Sequence, residues 1–330
     1  MNNHVILQTE NLSKRFGRFK AVQDLNLEVQ QGDIYGFLGL NGAGKTTTIR
    51  MILRLIKPNR GKIWLYGKEL NRSYLETMKN IGALVEIPAF YSYLSGWDNL
   101  ALLSRMSYGQ ADKKNLEKLL TEVGLIKRAR DKVKTYSQGM RQRLGIAQAL
   151  LPVYRLPLTD EAERSPAFSG KGRDDRLPDS SLVILDEPTN GLDPQGISEI
   201  RTLIKQLNQN YGVTFFISSH LLYEIELLCN RVGIIKEGQL VAQGYVANLL
   251  QGQEGGIKLR ARPADKTKNL LDTLTWCQGI EPGSTDGEWF IKAPTERIPE
   301  LIAWLVKNNI EVMEISPKQK NLEEYFLGLA

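Results

Sequence analysis

Short apolar runs, glycine turns and stretches in which apolar residues recur every three to four positions alternate from Val5 to about Val246. That alternation predicts an α/β domain built on a mostly parallel central sheet. Strands are expected at Val5–Thr9, Leu25–Val29, Asp33–Leu38, Lys62–Tyr66, Ile81–Val85, Leu182–Leu185, Val213–Ile217 and Val232–Lys236. Helices are expected from about Lys45 and near Lys113–Val123, Gln138–Leu151, Gly196–Asn208 and Leu221–Cys229. Glu237-Gly238 reads as the centre of a hairpin turn.

The pattern fails between Leu151 and Leu182, where Pro152, Pro157, Pro166 and Pro178 stand among Ser, Gly and interleaved acids and bases. An exposed loop is expected there. From about Gly252 a second pattern begins. It combines β-rich stretches, two of them near Trp289–Ala293 and Ile310–Ile315, with helical stretches at Pro263–Leu274, Arg297–Lys307 and Leu322–Leu327. A small α+β appendage follows from it.

Composition narrows the class. With 330 residues and 42% hydrophobic content, the chain can bury one large core and a smaller second one. Its longest apolar runs fall far short of the ~20 residues that a membrane-spanning helix needs. Met1–Glu10 lacks the basic start and apolar stretch of a secretory signal, so an intracellular location is the expectation. Cys229 and Cys277 have no CxxC spacing, which argues against a disulfide framework or a zinc site. The net charge of +6 is spread along the chain and reads mostly as solvated surface, with a minority lining a site for a polyanion.

The sharpest chemical signal is Gly39-Leu40-Asn41-Gly42-Ala43-Gly44-Lys45-Thr46-Thr47, which fits GxxxxGK[ST] between a predicted strand and a predicted helix. Glycines let backbone N–H groups turn inward toward phosphate oxygens while the following helix points its positive end at the same anion. Lys45 adds a mobile cation for the β- and γ-phosphates, Thr46 a hydroxyl for Mg²⁺, and Thr47 a hydrogen bond near the α-phosphate. The run Leu182-Val183-Ile184-Leu185 delivers Asp186-Glu187 to the carboxyl end of a strand, where ligand crevices of parallel sheets lie. Joined to the glycine loop, Asp186 suits Mg²⁺ and Glu187 suits a general base acting on water. Taken alone, the two acids could equally begin a helix.

Tyr136-Ser137-Gln138-Gly139-Met140-Arg141-Gln142-Arg143 resembles the ABC signature, Leu182–Pro194 resembles the extended Walker B and D-loop region, and His220 resembles the switch histidine. In order and spacing these features cover most of Val5–Val246, and the chain is identified as resembling an ABC transporter ATP-binding subunit. The resemblance implies a P-loop ABC ATPase domain at 1–246, with a helical subdomain at about 87–151 and a flexible insertion at about 152–181. A C-terminal accessory α+β domain at 247–330 would follow. It further implies head-to-tail pairing of two such domains, as a homodimer or heterodimer, with ATP between the P-loop of one and Ser137 and Gly139 of the other. Ser137 as a plain helix cap fits the same geometry, as does Asp193 ahead of the Gly196 helix. Phe16 would stack on adenine, with a hairpin aromatic as the competing reading, and His220 would reach the γ-phosphate.

Three features depart from the commonest family form. Glu86 stands where glutamine is usual, a position that implies a Mg²⁺ ligand followed by a segment contacting the membrane subunit. A carboxylate there still suits a hard cation but adds negative charge near the γ-phosphate. Gln138 and Met140 replace glycine and glutamine in the signature, and Pro152–Ser181 replaces a short crossover. Glu86 and the tail Asn321-Leu322-Glu323-Glu324-Tyr325-Phe326-Leu327 resemble the bacitracin, multidrug and lantibiotic-immunity export branch. The expected function is therefore ATP hydrolysis at the cytoplasmic membrane face, energising a separately encoded permease for export of a drug or antimicrobial peptide. A soluble ABC ATPase acting on nucleic acid or ribosomes is the alternative, disfavoured because the chain has neither a second cassette nor a long coiled-coil insertion.

Overall fold

The computed structural model describes residues 4–70, 74–86, 89–154, 181–250, 256–277, 279–283, 285–318 and 322–328. The chain divides into two compact units, Met1–Gly244 and Tyr245–Ala330. The first contains β1 (Val5–Phe16), β2 (Phe19–Leu25), β3 (Glu28–Gln30), β4 (Ile34–Leu38), α1 (Lys45–Ile52), β5 (Arg60–Leu65), β6 (Lys68–Glu69), α2 (Leu75–Met78) and β7 (Ile81–Leu84). It continues with α3 (Gly96–Tyr108), α4 (Lys113–Glu122), α5 (Gln138–Leu150), β8 (Leu182–Asp186), α6 (Pro194–Tyr211), β9 (Thr214–Ser219), α7 (Leu222–Leu228), β10 (Arg231–Lys236) and β11 (Gln239–Tyr245).

The central sheet has the order β11-β10-β4-β9-β8-β7, and the pairs from β10 to β7 are parallel. Both faces of such strands are covered, so their sequences are apolar without alternation. Every residue of β4, β8 and β9 is buried accordingly. Glu237 and Gly238 both have positive φ, 49° and 80°, which matches the right-handed twist of a two-residue hairpin joining β10 to β11. A second sheet, β2-β1-β5-β6 with β3 also on β1, packs its apolar side against α1 and the central sheet. Leu7, Leu12 and Val29 share that core with Ile49 and Met51 of α1 and with Tyr35, Phe37 and Phe216.

The strand expected at Leu25–Val29 is divided in two. Asp24 has a φ of 44°, and Thr9 fills the break by donating its hydroxyl to the Leu25 carbonyl (2.9 Å) and accepting from the Leu27 N–H (3.0 Å). The helix α3 was not anticipated, although its ends carry ordinary signals: Ser95 caps the Asp98 N–H at 3.0 Å and Gly109 closes it in the left-handed region. The expected insertion falls outside the described residues at 155–180, while Val153 and Tyr154 at its edge are buried.

The second unit contains α8 (Val246–Leu250), β12 (Gly256–Arg262), α9 (Ala264–Leu271), β13 (Gly279–Pro282), β14 (Glu288–Lys292), α10 (Ile298–Lys307), β15 (Glu311–Lys318) and α11 (Leu322–Gly328). The strands form an antiparallel sheet of order β13-β14-β12-β15. With α9 after β12 and α10 after β14, this is the split β-α-β topology of ferredoxin-like folds. Alternation along β12 and β14 turns Ile257, Leu259, Ala261, Trp289 and Ile291 onto Leu271, Leu301 and Leu305 of the helices. The opposite positions carry charge, and Lys258 bridges Glu288 and Glu314 at 3.2 Å each.

One contact fixes how the helix α5 crosses the sheet edge. A Cβ on Gly82 in β7 would lie 1.7 Å from the Ala149 carbonyl oxygen of α5, a backbone atom that cannot rotate away. Gly82→Ala is therefore expected to destabilise the chain by about 3 kcal/mol, the upper range for overpacking, measured as a shift of the denaturant midpoint.

Candidate functional site

Parallel pairing places the carboxyl ends of β4, β9 and β8 side by side, with Leu38 opposite Ser219 and Asp186 opposite Ser218. Each strand end carries a different part of the site. The loop Gly39–Gly44 leaves β4 and turns directly into α1, whose first N–H groups face the loop without intrahelical partners. Gly44 has a φ of 109°, and a Cβ there would lie 2.5 Å from the Ala21 carbonyl oxygen of β2. Only glycine permits both the turn and this approach.

Lys45 is buried, and its ammonium folds back to donate to the Gly39 carbonyl (2.7 Å) and pair with Glu187 Oε1 (3.3 Å). The other carboxylate oxygen of Glu187, Oε2, lies 2.7 Å from His220 Nδ1. Glu187 thus sits between a cation and an imidazole. Its backbone has a φ of 50°, and its N–H is held by the Ser218 hydroxyl at 3.0 Å. A non-glycine residue in this left-handed region is worth a functional question.

Alongside, the Thr46 hydroxyl donates to Asp186 Oδ2 at 2.9 Å, and the Ser218 hydroxyl donates to Asp186 Oδ1. Thr46 and Asp186 make a pair of hard oxygen donors at the mouth of the phosphate loop, which suits Mg²⁺ completed by phosphate and water. Among the described residues no group of three His, Cys, Asp or Glu side chains forms a metal cage. Glu86, the third expected ligand, is exposed, its carboxylate pairs with Arg50 of α1, and its φ is 66°. The geometry joins Thr46 to Asp186 and holds Glu86 on Arg50.

Phe16 lies half exposed at the tip of the β1–β2 hairpin, paired with Phe19 and with Lys14 Nζ 5.1 Å from its ring centre. The hairpin is tied to the phosphate loop through the turn before β11. Gly238 donates to the Ala43 carbonyl (3.0 Å) and accepts from the Gln23 N–H (2.8 Å). Phe16 and Phe19 therefore offer aromatic faces on a strand pair anchored beside Gly44. Phe19 escaped the sequence reading because it belongs to no motif.

Ser137 and Gly139 are on a different surface. Together with Gly191, Leu192, Asp193 and Glu199 they line a cleft of about 630 Å³ whose walls include none of Gly39–Thr47. Ser137 Oγ accepts from the Met140 N–H (3.2 Å) and Asp193 Oδ1 from the Gly196 N–H (2.9 Å), so both are helix caps, as the simpler reading held. Capping uses an oxygen lone pair and leaves the Ser137 hydroxyl hydrogen to donate. The Gln138 amide lies against Gly191, while Arg143 of α5 pairs with Glu199 of α6 and donates to the Val123 carbonyl (3.3 Å). Ser218 and Arg50 are partners that no motif announced, and Arg143, although inside the signature stretch, was given no role there.

A family model described as ABC transporter matches residues 22–164. The chain is 38% identical over 324 residues to the bacitracin transport ATP-binding protein of Bacillus licheniformis, covering 98% of this chain and 97% of that one. It is 35% identical over 238 residues to the lantibiotic transport ATP-binding protein of Streptococcus pyogenes, covering 72% of this chain and 90% of that one. Among solved structures, one described as the ATP binding subunit of an ABC transporter matches with a TM-score of 0.59 and 26% identity, over 74% of this chain and 91% of that chain.

Removing the Ser218 hydroxyl would take the partner from Asp186 Oδ1, while the Glu187 N–H would keep the Ser218 carbonyl at 3.2 Å. Ser218→Ala is expected to cost about 2 kcal/mol of stability, the penalty for a buried carboxylate oxygen left without its donor. A thermal or denaturant melt of the purified chain measures it.

Proposed function

Because the chain belongs to the family of ABC transporter ATP-binding proteins, we propose that it hydrolyses ATP at the junction of β4, β8 and β9 to drive export of a bacitracin- or lantibiotic-like antimicrobial compound through a separately encoded permease. ATP hydrolysis and service as an ATP-binding subunit are properties of the family. The resident roles below, the magnesium ion, the docking face and the exported compound are our reading. The observation that carries it is the contact chain Lys45–Glu187–His220 set beside Thr46–Asp186.

In this reading the phosphate loop Gly39–Thr47 binds the nucleotide's phosphates by backbone N–H groups, and Phe16 stacks on the adenine. The Lys45 ammonium exchanges the Gly39 carbonyl and Glu187 for phosphate oxygens. Glu187 then keeps His220 as its partner and has one oxygen free to accept a proton from water. His220 fixes the orientation of that carboxylate. A magnesium ion, held by Thr46 and Asp186 and joined by Glu86 once it leaves Arg50, would neutralise phosphate charge.

Ser137 and Gly139 complete the site only on a second copy or a paralogue, since their cleft and the phosphate loop are separate surfaces of one chain. Closure of the pair on ATP and reopening after hydrolysis move the permease. The segment after Glu86, with Tyr91 and Tyr93 exposed and their rings 5.8 Å apart, is the proposed permease contact. Among the described residues no helix is long and apolar enough to cross a membrane, which fits a peripheral subunit. The alternative of a nucleic-acid or ribosome-directed ATPase finds no support among the relatives.

Glu187→Gln is expected to retain ATP binding while hydrolysis falls by about 10²-fold or more, the usual worth of a general base. Isothermal titration and phosphate release measure the two separately; unchanged turnover would remove Glu187 from the role. Glu86→Gln is expected to raise turnover roughly two- to tenfold by lifting about 1 kcal/mol of charge repulsion at a partly exposed position. Equal steady-state rates would show that Glu86 stays on Arg50 throughout the cycle. For the exported compound, the measurement is bacitracin- or lantibiotic-stimulated ATPase of the subunit reconstituted with its cognate permease. Absence of stimulation by both would overturn the substrate class and leave the ATPase assignment standing.

A further inference from the structure

Arg201 and Glu224 belong to no motif, yet they join the two helices that follow the site. Arg201 lies two turns into α6, the helix that Asp193 caps. Glu224 lies in the first turn of α7, the helix that begins two residues after His220. The Arg201 guanidinium donates to Glu224 Oε2 at 3.1 Å. Both side chains are partly buried, at 25% and 19% exposure, where solvent and salt screen a pair less than on the open surface.

The seating of α7 gives this pair its leverage. The helix has seven residues and its N-cap, Leu221, has no capping side chain, so little of its placement comes from itself. Ile225 and Leu228 are buried, and a Cβ on Gly36 of β4 would lie 2.4 Å from Ile225 Cγ2 and 3.2 Å from Cys229 Sγ. The helix therefore rests on β4 along one apolar line. Apolar contact is non-directional, so that line sets the distance of α7 from the sheet and leaves its swing about the contact unspecified. The bond from Arg201 supplies the missing direction, because α6 is anchored separately by Ile200, Leu203, Ile204 and Leu207. Directly before α7, the Leu221 N–H donates to Ser219 Oγ at 2.9 Å. Between those two residues, His220 brings Nδ1 to 2.7 Å from Glu187 Oε2. A swing of α7 about the end of β9 carries His220 with it, and about 1 Å of travel takes such a hydrogen bond out of range.

We infer that Arg201 and Glu224 are positioning residues that hold His220 on the Glu187 carboxylate. They act through α7 rather than on the nucleotide. The inference rests on the proposed reading for one point, that Glu187, oriented by His220, accepts the proton from water. The tie from α6 through α7 to the imidazole requires neither nucleotide nor permease.

The chain has two histidines, His4 and His220, so one variant, His4→Gln, assigns the nitrogen-15 signals of both rings. The His220 Nδ1 signal is expected to move in Glu187→Gln, which alters the contact, and to move in the same direction in Arg201→Gln and Glu224→Gln. Phosphate release at saturating ATP should fall about tenfold or more in the last two, the cost of roughly 1 Å of misplacement, with the KM for ATP within about twofold. Arg201→Lys should keep most of the rate. The double variant Arg201→Gln/Glu224→Gln should be no slower than either single one, because both remove the same bond. Glu224→Asp, one methylene shorter, should give a milder loss of the same kind and answers the question if a glutamine variant does not fold. Parent rates in both glutamine variants, additive losses, or a lowered rate with the His220 signal unmoved would overturn the inference, the last leaving the pair a role in helix packing alone. A parent rate in Glu187→Gln counts instead against the hydrolytic reading, and the His220 signal in Arg201→Gln still decides the positioning.

Discussion

The arrangement depends on the parallel register of β4, β9 and β8, which sets three strand ends abreast. Nothing within a single segment brings Lys45 to Glu187 or Thr46 to Asp186. The contacts exist because Leu38 pairs with Ser219 and Asp186 with Ser218 across adjacent ladders. A one-residue slip in either ladder would send alternate side chains to the other face of the sheet, removing Glu187 from both of its partners. Full burial of these strands enforces the register, since their apolar side chains pack on both faces. The core therefore positions the chemistry as well as stabilising the unit.

At the edge of that core, buried Lys45 and part-buried Glu187 neutralise one another in a site shaped for a polyanion. An unpaired ammonium there would carry a large desolvation penalty, and so would an unpaired carboxylate. Pairing them satisfies both charges, and a phosphate bound by Lys45 would have to take the place of Glu187. Ser218 serves the same economy on the neighbouring strand, donating to Asp186 while accepting from the Glu187 N–H. One hydroxyl thus holds the two acids in different orientations, so that adjacent carboxylates face different partners.

Much of this was legible from the chain, and the failures have physical causes. Lys45, Thr46, Asp186 and Glu187 occur in contiguous motifs whose spacing dictates local geometry, so the structure joins them as the pattern implied. Ser218, Arg50 and Arg143 act across distances that only the folded ladders and helix contacts close, and no local spacing encodes them. Glu86 was placed with the metal ligands by resemblance, and its pairing with the guanidinium of Arg50 is a contact that resemblance did not announce. The helix α3 was missed although Ser95-Gly96-Trp97-Asp98 and Gly109 mark its ends, a signal available and unused. The strand order of the second unit is beyond local reading, because β12 pairs with β14 and β15 rather than with its chain neighbour β13.

The helix caps at Ser137 and Asp193 show why a structural role and the proposed one need not compete. A cap fixes the side chain at the amino end of its helix, where unsatisfied N–H groups already favour an anion. Stability and preorganisation are then the same interaction. Here the two capped ends are also linked to each other. Gln138 rests on Gly191, and Arg143 ties α5 to Glu199 of α6 while holding the end of α4 through the Val123 carbonyl. These ties oppose independent motion of the signature end and the segment before α6. In a closed pair, a ligand engaging one of them would transmit its displacement to the other. The glutamine at position 138 adds a contact that a glycine could not make, so a departure from the commonest signature tightens the link between α5 and the segment before α6.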